Sequence, residues 1–169
     1  MAKTTPDKYA NVAFATVGCT AIDTLSFAQI RFGVGIFQGI ALILHRVLYY
    51  PTEVATRELV AATDSLRMAI TTSNRLTQIY EVSEPALIDA VHLIGVGVNV
   101  EPLRVPIVSD FTSLPGGGRI LPANPLFGAI NTAGAVAASS MRIQLDFTFV
   151  ELADKDYIEL IQSQLPANV

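Results

Sequence analysis

The side chains able to do chemistry are few, and their spacing decides what each can do. The two histidines, His45 and His92, lie far apart in the chain. Neither has the i, i+4 partner or the neighbouring cysteines that a metal site draws on, so both read as structural. The single cysteine, Cys19, has no second thiol for an internal disulfide or a thiolate cage. No histidine or basic residue lies near it in sequence to favour the thiolate, and it reads as a small buried residue. The run Gly116-Gly117-Gly118-Arg119 has the composition of a phosphate cradle. Such a loop leaves a strand and opens into a helix, whereas Ile120, Leu121 and Pro122 come next here. A hairpin tip using positive φ angles is the reading that fits.

The densest acidic cluster is Glu151, Asp154, Asp156 and Glu159. A glycosidase pair or a calcium site needs carboxylates that converge on one point. These positions instead match the start of a helix, where negative charge meets the positive end of the macrodipole. No Gly-x-Ser-x-Gly elbow is present to build a Ser-His-Asp arrangement around. The expectation is therefore a non-enzymatic chain, with no catalytic, cofactor-binding or metal-ligating residue and no cofactor.

Composition sets a different problem. Of 169 residues, 51% are hydrophobic and 15% charged, with a mean hydropathy of +0.45. Soluble domains usually carry about 25% charged residues, so apolar surface must be covered by a membrane, a subunit interface or a large assembly. The one membrane candidate, Phe32 to Leu44, is shorter than the ~20 residues a spanning helix needs. It is bounded by Arg31, His45 and Arg46 and contains Gly33, Gly35 and Gly39, which suits buried strands with bends. The net charge of −4 includes no basic block, so no strong nucleic-acid-binding signal is present. Met1 to Tyr9 carries Lys3 and Lys8 without an apolar core behind them, which reads as a flexible arm and not a secretory signal. Residues 1–9 thus form an arm and 10–169 a single β-barrel domain.

The elements emerge from periodicity. From Met141 to Glu151, apolar Met141, Ile143, Leu145, Phe147 and Phe149 alternate with Arg142, Gln144, Asp146 and Thr148, the period of a strand with one buried face. After Leu152 the period changes to that of a helix presenting Tyr157, Ile158, Leu160, Ile161 and Leu165. Upstream, Asn11–Gly18, Leu25–Phe32, Gly39–Tyr50 and Asp64–Thr72 read as strands. Thr52–Ala62 reads as a loop with one or two helical turns. Ser83–Leu93 carries helix-start signals in Ser83, Glu84 and Pro85. Val96–Val100 resumes strand character, and Pro102 and Pro106 restrict their neighbourhood to an extended or edge segment. Asp110–Asn124, with Pro115 and three glycines, reads as a loop tip. Pro125–Asn131 is a short strand and Thr132–Ala138 a connection. The sum is an all-β domain, a single jelly-roll or sandwich barrel of about eight strands, with short helices including a C-terminal one.

The order of these features resembles that of small single jelly-roll capsid proteins of tailless icosahedral viruses. The resemblance is carried by the short arm, the apolar strands with glycine bends, the tip FTSLPGGGRILPANPLF (Phe111 to Phe127) and the close MRIQLDFTFVELADKDYIELIQSQ (Met141 to Gln164). It implies a non-enzymatic shell subunit located in the virion, self-assembling with its own copies into a large homo-oligomer. A second capsid protein, or a membrane inside the shell, would be further partners of such a subunit. A jelly-roll module that recognises a glycan or surface polymer through its loops is the alternative.

Overall fold

Alternation along the last strand sets the architecture. In the computed structural model, which describes residues 10–32, 40–52, 64–80, 83–95, 106–123, 125–135 and 137–165, the segment Ser140–Glu151 is strand β9. Its Met141, Ile143, Leu145 and Phe147 point inward and are buried. The preceding strands are β1 (Asn11–Gly18), β2 (Ser26–Ile30), β3 (Ile40–Pro51), β4 (Ser65–Thr71), β5 (Leu87–Ile94), β6 (Ile107–Asp110), β7 (Arg119–Pro122) and β8 (Leu126–Ala133). One helix, α1 (Asp154–Ser163), comes after β9.

The strands form two antiparallel sheets. One has the order β1-β9-β3-β6, with β7 also on β3; the other has the order β2-β8-β4-β5. β6 pairs with Arg46 to Tyr49 and β7 with Ala41 to Leu44, so the two occupy successive stretches of the same edge of β3. Counted as one interrupted strand, they leave eight strands with the first, eighth, third and sixth in one sheet and the second, seventh, fourth and fifth in the other. That winding is a jelly roll. β9 sits between β1 and β3, the central position its clean alternation implies.

The core lies between the sheets. Leu42, Leu44, Val47 and Tyr49 of β3 meet Leu66, Met68 and Ile70 of β4 and Leu126 and Ile130 of β8. Each fully buried aliphatic side chain of this kind contributes about 1.5–3 kcal/mol. β3 itself does not alternate cleanly, because a bulge between Leu44 and Arg46 shifts its register against β9. The extra residue, His45, lets Leu44 and Val47 both face inward. At Gly128 the sheets come so close that a Cβ would lie 2.5 Å from Ile143 Cδ1 and 2.8 Å from Val17 Cγ2. A smaller second core covers the outside of the four-stranded sheet, where Ile79 packs on Ala69 and Ala129 with Leu25, Phe27 and Leu87 around them.

Three sequence expectations need correction or placement. Ser83–Leu93 is not a helix: Leu87 onward is β5, and Ser83, Glu84 and Pro85 belong to the turn before it. The Asp110–Asn124 loop contains β7. In the membrane candidate, Ile40 to Leu44 lies in β3, while 33–39 lie outside the described residues, as do 1–9, most of Thr52–Ala62, Val96–Val100 and Pro102. No described helix is long and apolar enough to cross a membrane. Helix α1 sits where the final period change placed it, with Tyr157 buried and the Gln164 carbonyl accepting from Thr72 Oγ1 at 3.0 Å. Ile158, Ile161 and Leu165 of its expected apolar face are exposed.

Candidate functional site

His45 organises the glycine tip. As the bulge residue of β3 it bonds through Nδ1 to the Gly117 carbonyl at 2.8 Å and through Nε2 to Thr148 Oγ1 at 3.1 Å. Its own carbonyl accepts from Phe111 N at 2.8 Å, so one residue holds both ends of the 111–118 loop. Gly116 and Gly117 adopt φ of 88° and 76°, the left-handed region where glycine is favoured. The loop continues into β7, not into a helix, so its amides have no helix dipole behind them. A histidine fastened by both ring nitrogens is a structural tie.

The acidic cluster does not converge. Asp154 and Asp156 stand exposed in the first turn of α1, and Glu159 faces Lys155 at 3.7 Å across one helical turn. Among the described residues no group of three His, Cys, Asp or Glu side chains can hold a metal. Cys19 is buried, and burial pushes its thiol pKa up, away from nucleophilic character.

A cleft of about 450 Å³ runs along β5, the last described strand of its sheet, and is lined by residues of β4, β5, β7 and the 72–86 connection. Arg67 places Cζ over the Tyr80 ring, 4.3 Å from its centre, and its Nε donates to His92 Nε2 at 3.3 Å. Burial, and then the adjacent Arg67 charge, hold the His92 pKa below its ordinary value. At the cleft floor Arg119 reaches from β7 across to β5 and donates to the Ile88 carbonyl at 2.6 Å. Burial lowers the Arg119 pKa, and neighbouring Asp89 partly offsets this. Asp89 in turn accepts from the Tyr49 hydroxyl at 2.8 Å. These bonds clasp the two sheets together at one side. The sequence signal for them was weak, because Arg67, Asp89 and Arg119 converge only through the winding of the strands.

The third surface is the outer face of the five-stranded sheet. Down its centre β9 presents Arg142, Gln144, Asp146 and Thr148, flanked by exposed Val12 and Phe14 on β1 and by Leu48, Tyr50 and Val108 on the other side. A polar chain crosses it: Tyr50 hydroxyl donates to Gln144 Oε1 at 3.4 Å, and Gln144 Nε2 donates to Asp146 Oδ1 at 2.9 Å. Arg46 Nε meets Asp146 Oδ2 at 3.3 Å. A second hollow, of about 480 Å³, lies between Phe14, Thr16, Tyr50 and Arg142. The arrangement offers shape and apolar area.

No protein-family profile matches this chain, and no curated protein matches it in sequence. Among solved structures, a chain of tomato aspermy virus, determined by X-ray crystallography, is similar over 82% of this chain and 76% of its own, with 9% identity and a TM-score of 0.45. The jelly-roll assignment stands on the strand order itself.

Proposed function

We propose that this chain is a structural, non-enzymatic subunit that assembles with copies of itself into a closed protein shell of the viral-capsid kind. The observation that carries this reading is the apolar surface left over once the core is full. Val12, Phe14, Ile94, Val108, Ile120 and Ile158 are each about half exposed, and they lie on a sheet face, on strand edges and on the terminal helix. A charge-poor monomer with apolar groups on several sides is poorly soluble alone, whereas a subunit in a shell buries several patches at once. The jelly-roll topology supports the reading, because the outer face of its five-stranded sheet leaves Val12, Phe14 and Val108 exposed to meet a neighbour. The virion is the location this reading assigns. Light scattering and negative-stain microscopy of the native material test it: large, uniform particles are expected, and native material that holds only a monodisperse monomer sinks it.

A second reading is favoured by the β5-edge cleft, where Arg67, Tyr80 and His92 make a polar and aromatic wall. On this reading the chain is a jelly-roll binding module for a glycan or surface polymer. A glycan array, with a thermal-shift screen, discriminates the two, since only the module gains stability from a saccharide.

A further inference from the structure

The register of the five-stranded sheet arranges its outer face in rows across the strands. Phe14, Gln144, Leu48 and Val108 stand side by side on β1, β9, β3 and β6. On one side of this row lie Thr16, Arg142 and Tyr50, with one net positive charge. On the other lie Val12, Asp146, Arg46 and Asp110, with one net negative charge. The middle row is mostly apolar and exposed, Phe14 at 64% and Val108 at 49%. A charged row thus lies on each side of an apolar stripe, opposite in sign.

We propose that this face pairs with the same face of a second copy, about a two-fold axis lying along the Phe14–Gln144–Leu48–Val108 row. When two identical faces meet, the axis lies in the plane of contact, so residues on it meet their own copies and flanking rows exchange. Phe14 then packs on Phe14 and Leu48 on Leu48, the positive row lies over the partner's negative row, and Arg142 stands opposite Asp146. Arg46 stands opposite the Tyr50 ring, an arrangement that favours a cation over an aromatic face. The other in-plane axis, along β9, sets Arg142 against Arg142 and Asp146 against Asp146. Charge therefore selects the first axis over the second.

The size of the face sets the strength. Four strands ~4.8 Å apart, with about seven residues of β1, β9 and β3 and the four of β6 in play, span roughly 400 Å² of sheet plane. That is about half of the ~800 Å² per partner that a stable pair covers. The pair is therefore weak and transient in isolation; within a shell, other contacts add to it. The proposal deepens the self-assembly reading and rests on it for the identity of the partner.

Sedimentation of the full chain at rising concentration is the test. The expected result is a monomer–dimer shift as concentration rises, abolished by Phe14→Glu, which sets two carboxylates against each other on the axis. Arg142→Glu and Asp146→Arg are each expected to weaken self-pairing at least tenfold, yet an equimolar mixture of the two should pair again, because only the mixed dimer opposes unlike charges at both sites. Circular dichroism checks that each variant is folded, and Phe14→Glu stands as the test if Asp146→Arg is not. A dimer indifferent to Phe14→Glu, a chain that stays monomeric throughout, or a mixture of folded variants that fails to pair overturns the proposal. Particles that form equally well with Phe14→Glu overturn this contact and leave the shell reading standing; a Phe14-dependent dimer that never forms particles does the reverse.

Discussion

The Tyr49 hydroxyl donates to Asp89 Oδ2 at 2.8 Å, joining the middle of one sheet to the edge strand of the other. Tyr49 is fully buried. Asp89 is the residue opposite Ile70, so it points toward the core side of β5 while lying at the rim of the cleft. A buried hydroxyl without a partner is costly, and a carboxylate acceptor makes the bond a charge-assisted one. Tyr49→Phe removes the donor and leaves Asp89 facing an apolar wall. The expected loss is about 1–3 kcal/mol, read as a lower midpoint in urea unfolding with an unchanged slope. An unchanged midpoint means the bond contributes nothing net.

Alkali should expose the same contact. Burial first, then the Asp89 charge, then the bond to Asp89 raise the Tyr49 pKa well above the ordinary tyrosine value. A group whose folded pKa is raised keeps its proton in the folded state while the unfolded chain releases it. The associated stability is complete below about pH 10 and is lost as pH rises beyond that. Absorbance at 295 nm should then show Tyr49 ionising only together with unfolding, whereas in Tyr49→Phe that cooperative step disappears. Smooth titration of every tyrosine in a folded chain contradicts this placement.

β9 was legible in the sequence because one residue in two is buried from Met141 to Phe147, and α1 because the period changes just after the strand. β5 was not, for two physical reasons. The helix-start residues serve a turn instead: Glu84 Oε1 accepts from Ala86 N at 3.2 Å and the Glu84 carbonyl from Leu87 N at 3.0 Å. Then an irregularity opposite Ile70 and Thr71 breaks the alternation, which lets Asp89 point inward. β7 escaped for want of length, being four residues that lean on β3 for their pairing. The candidate surfaces were less legible still. Phe14, Gln144, Leu48 and Val108 are distant in the chain and become a row only through the register of three strand pairings.

The loop tied by His45 gives a local test. His45→Ala removes both ring bonds, to Gly117 and to Thr148, and should cost about 1–2 kcal/mol in stability. Limited proteolysis should cut faster between Thr112 and Gly116, the exposed part of the tip. Gly118→Ala is expected to be the harsher change. Its Cβ would lie 2.6 Å from the Leu44 carbonyl oxygen and from Ile43 Cγ2, and the carbonyl cannot move without breaking the sheet. A Gly118→Ala protein as stable as the parent shows that the tip does not approach β3 so closely.

Phe147 decides the register of the central strand. Its ring packs edge-on against Phe32 at 5.0 Å and Phe149 at 5.1 Å, and only 3% of its surface is exposed. Aromatic pairs of this geometry add about 0.5–1.5 kcal/mol beyond burial, and truncating a core phenylalanine to alanine costs about 3–5 kcal/mol. Aspartate at the same place adds an unpaired charge in an apolar surround, which a marginally stable domain of this size cannot absorb. Phe147→Asp is therefore expected to abolish soluble folded protein. Its neighbour supplies the control, because Thr148 lies on the opposite face and is partly exposed. Thr148→Asp should remain folded, losing at most the His45 bond. If instead Phe147→Asp folds and Thr148→Asp does not, a one-residue slip in β9 is indicated, since period-two pairing moves every side chain to the other face.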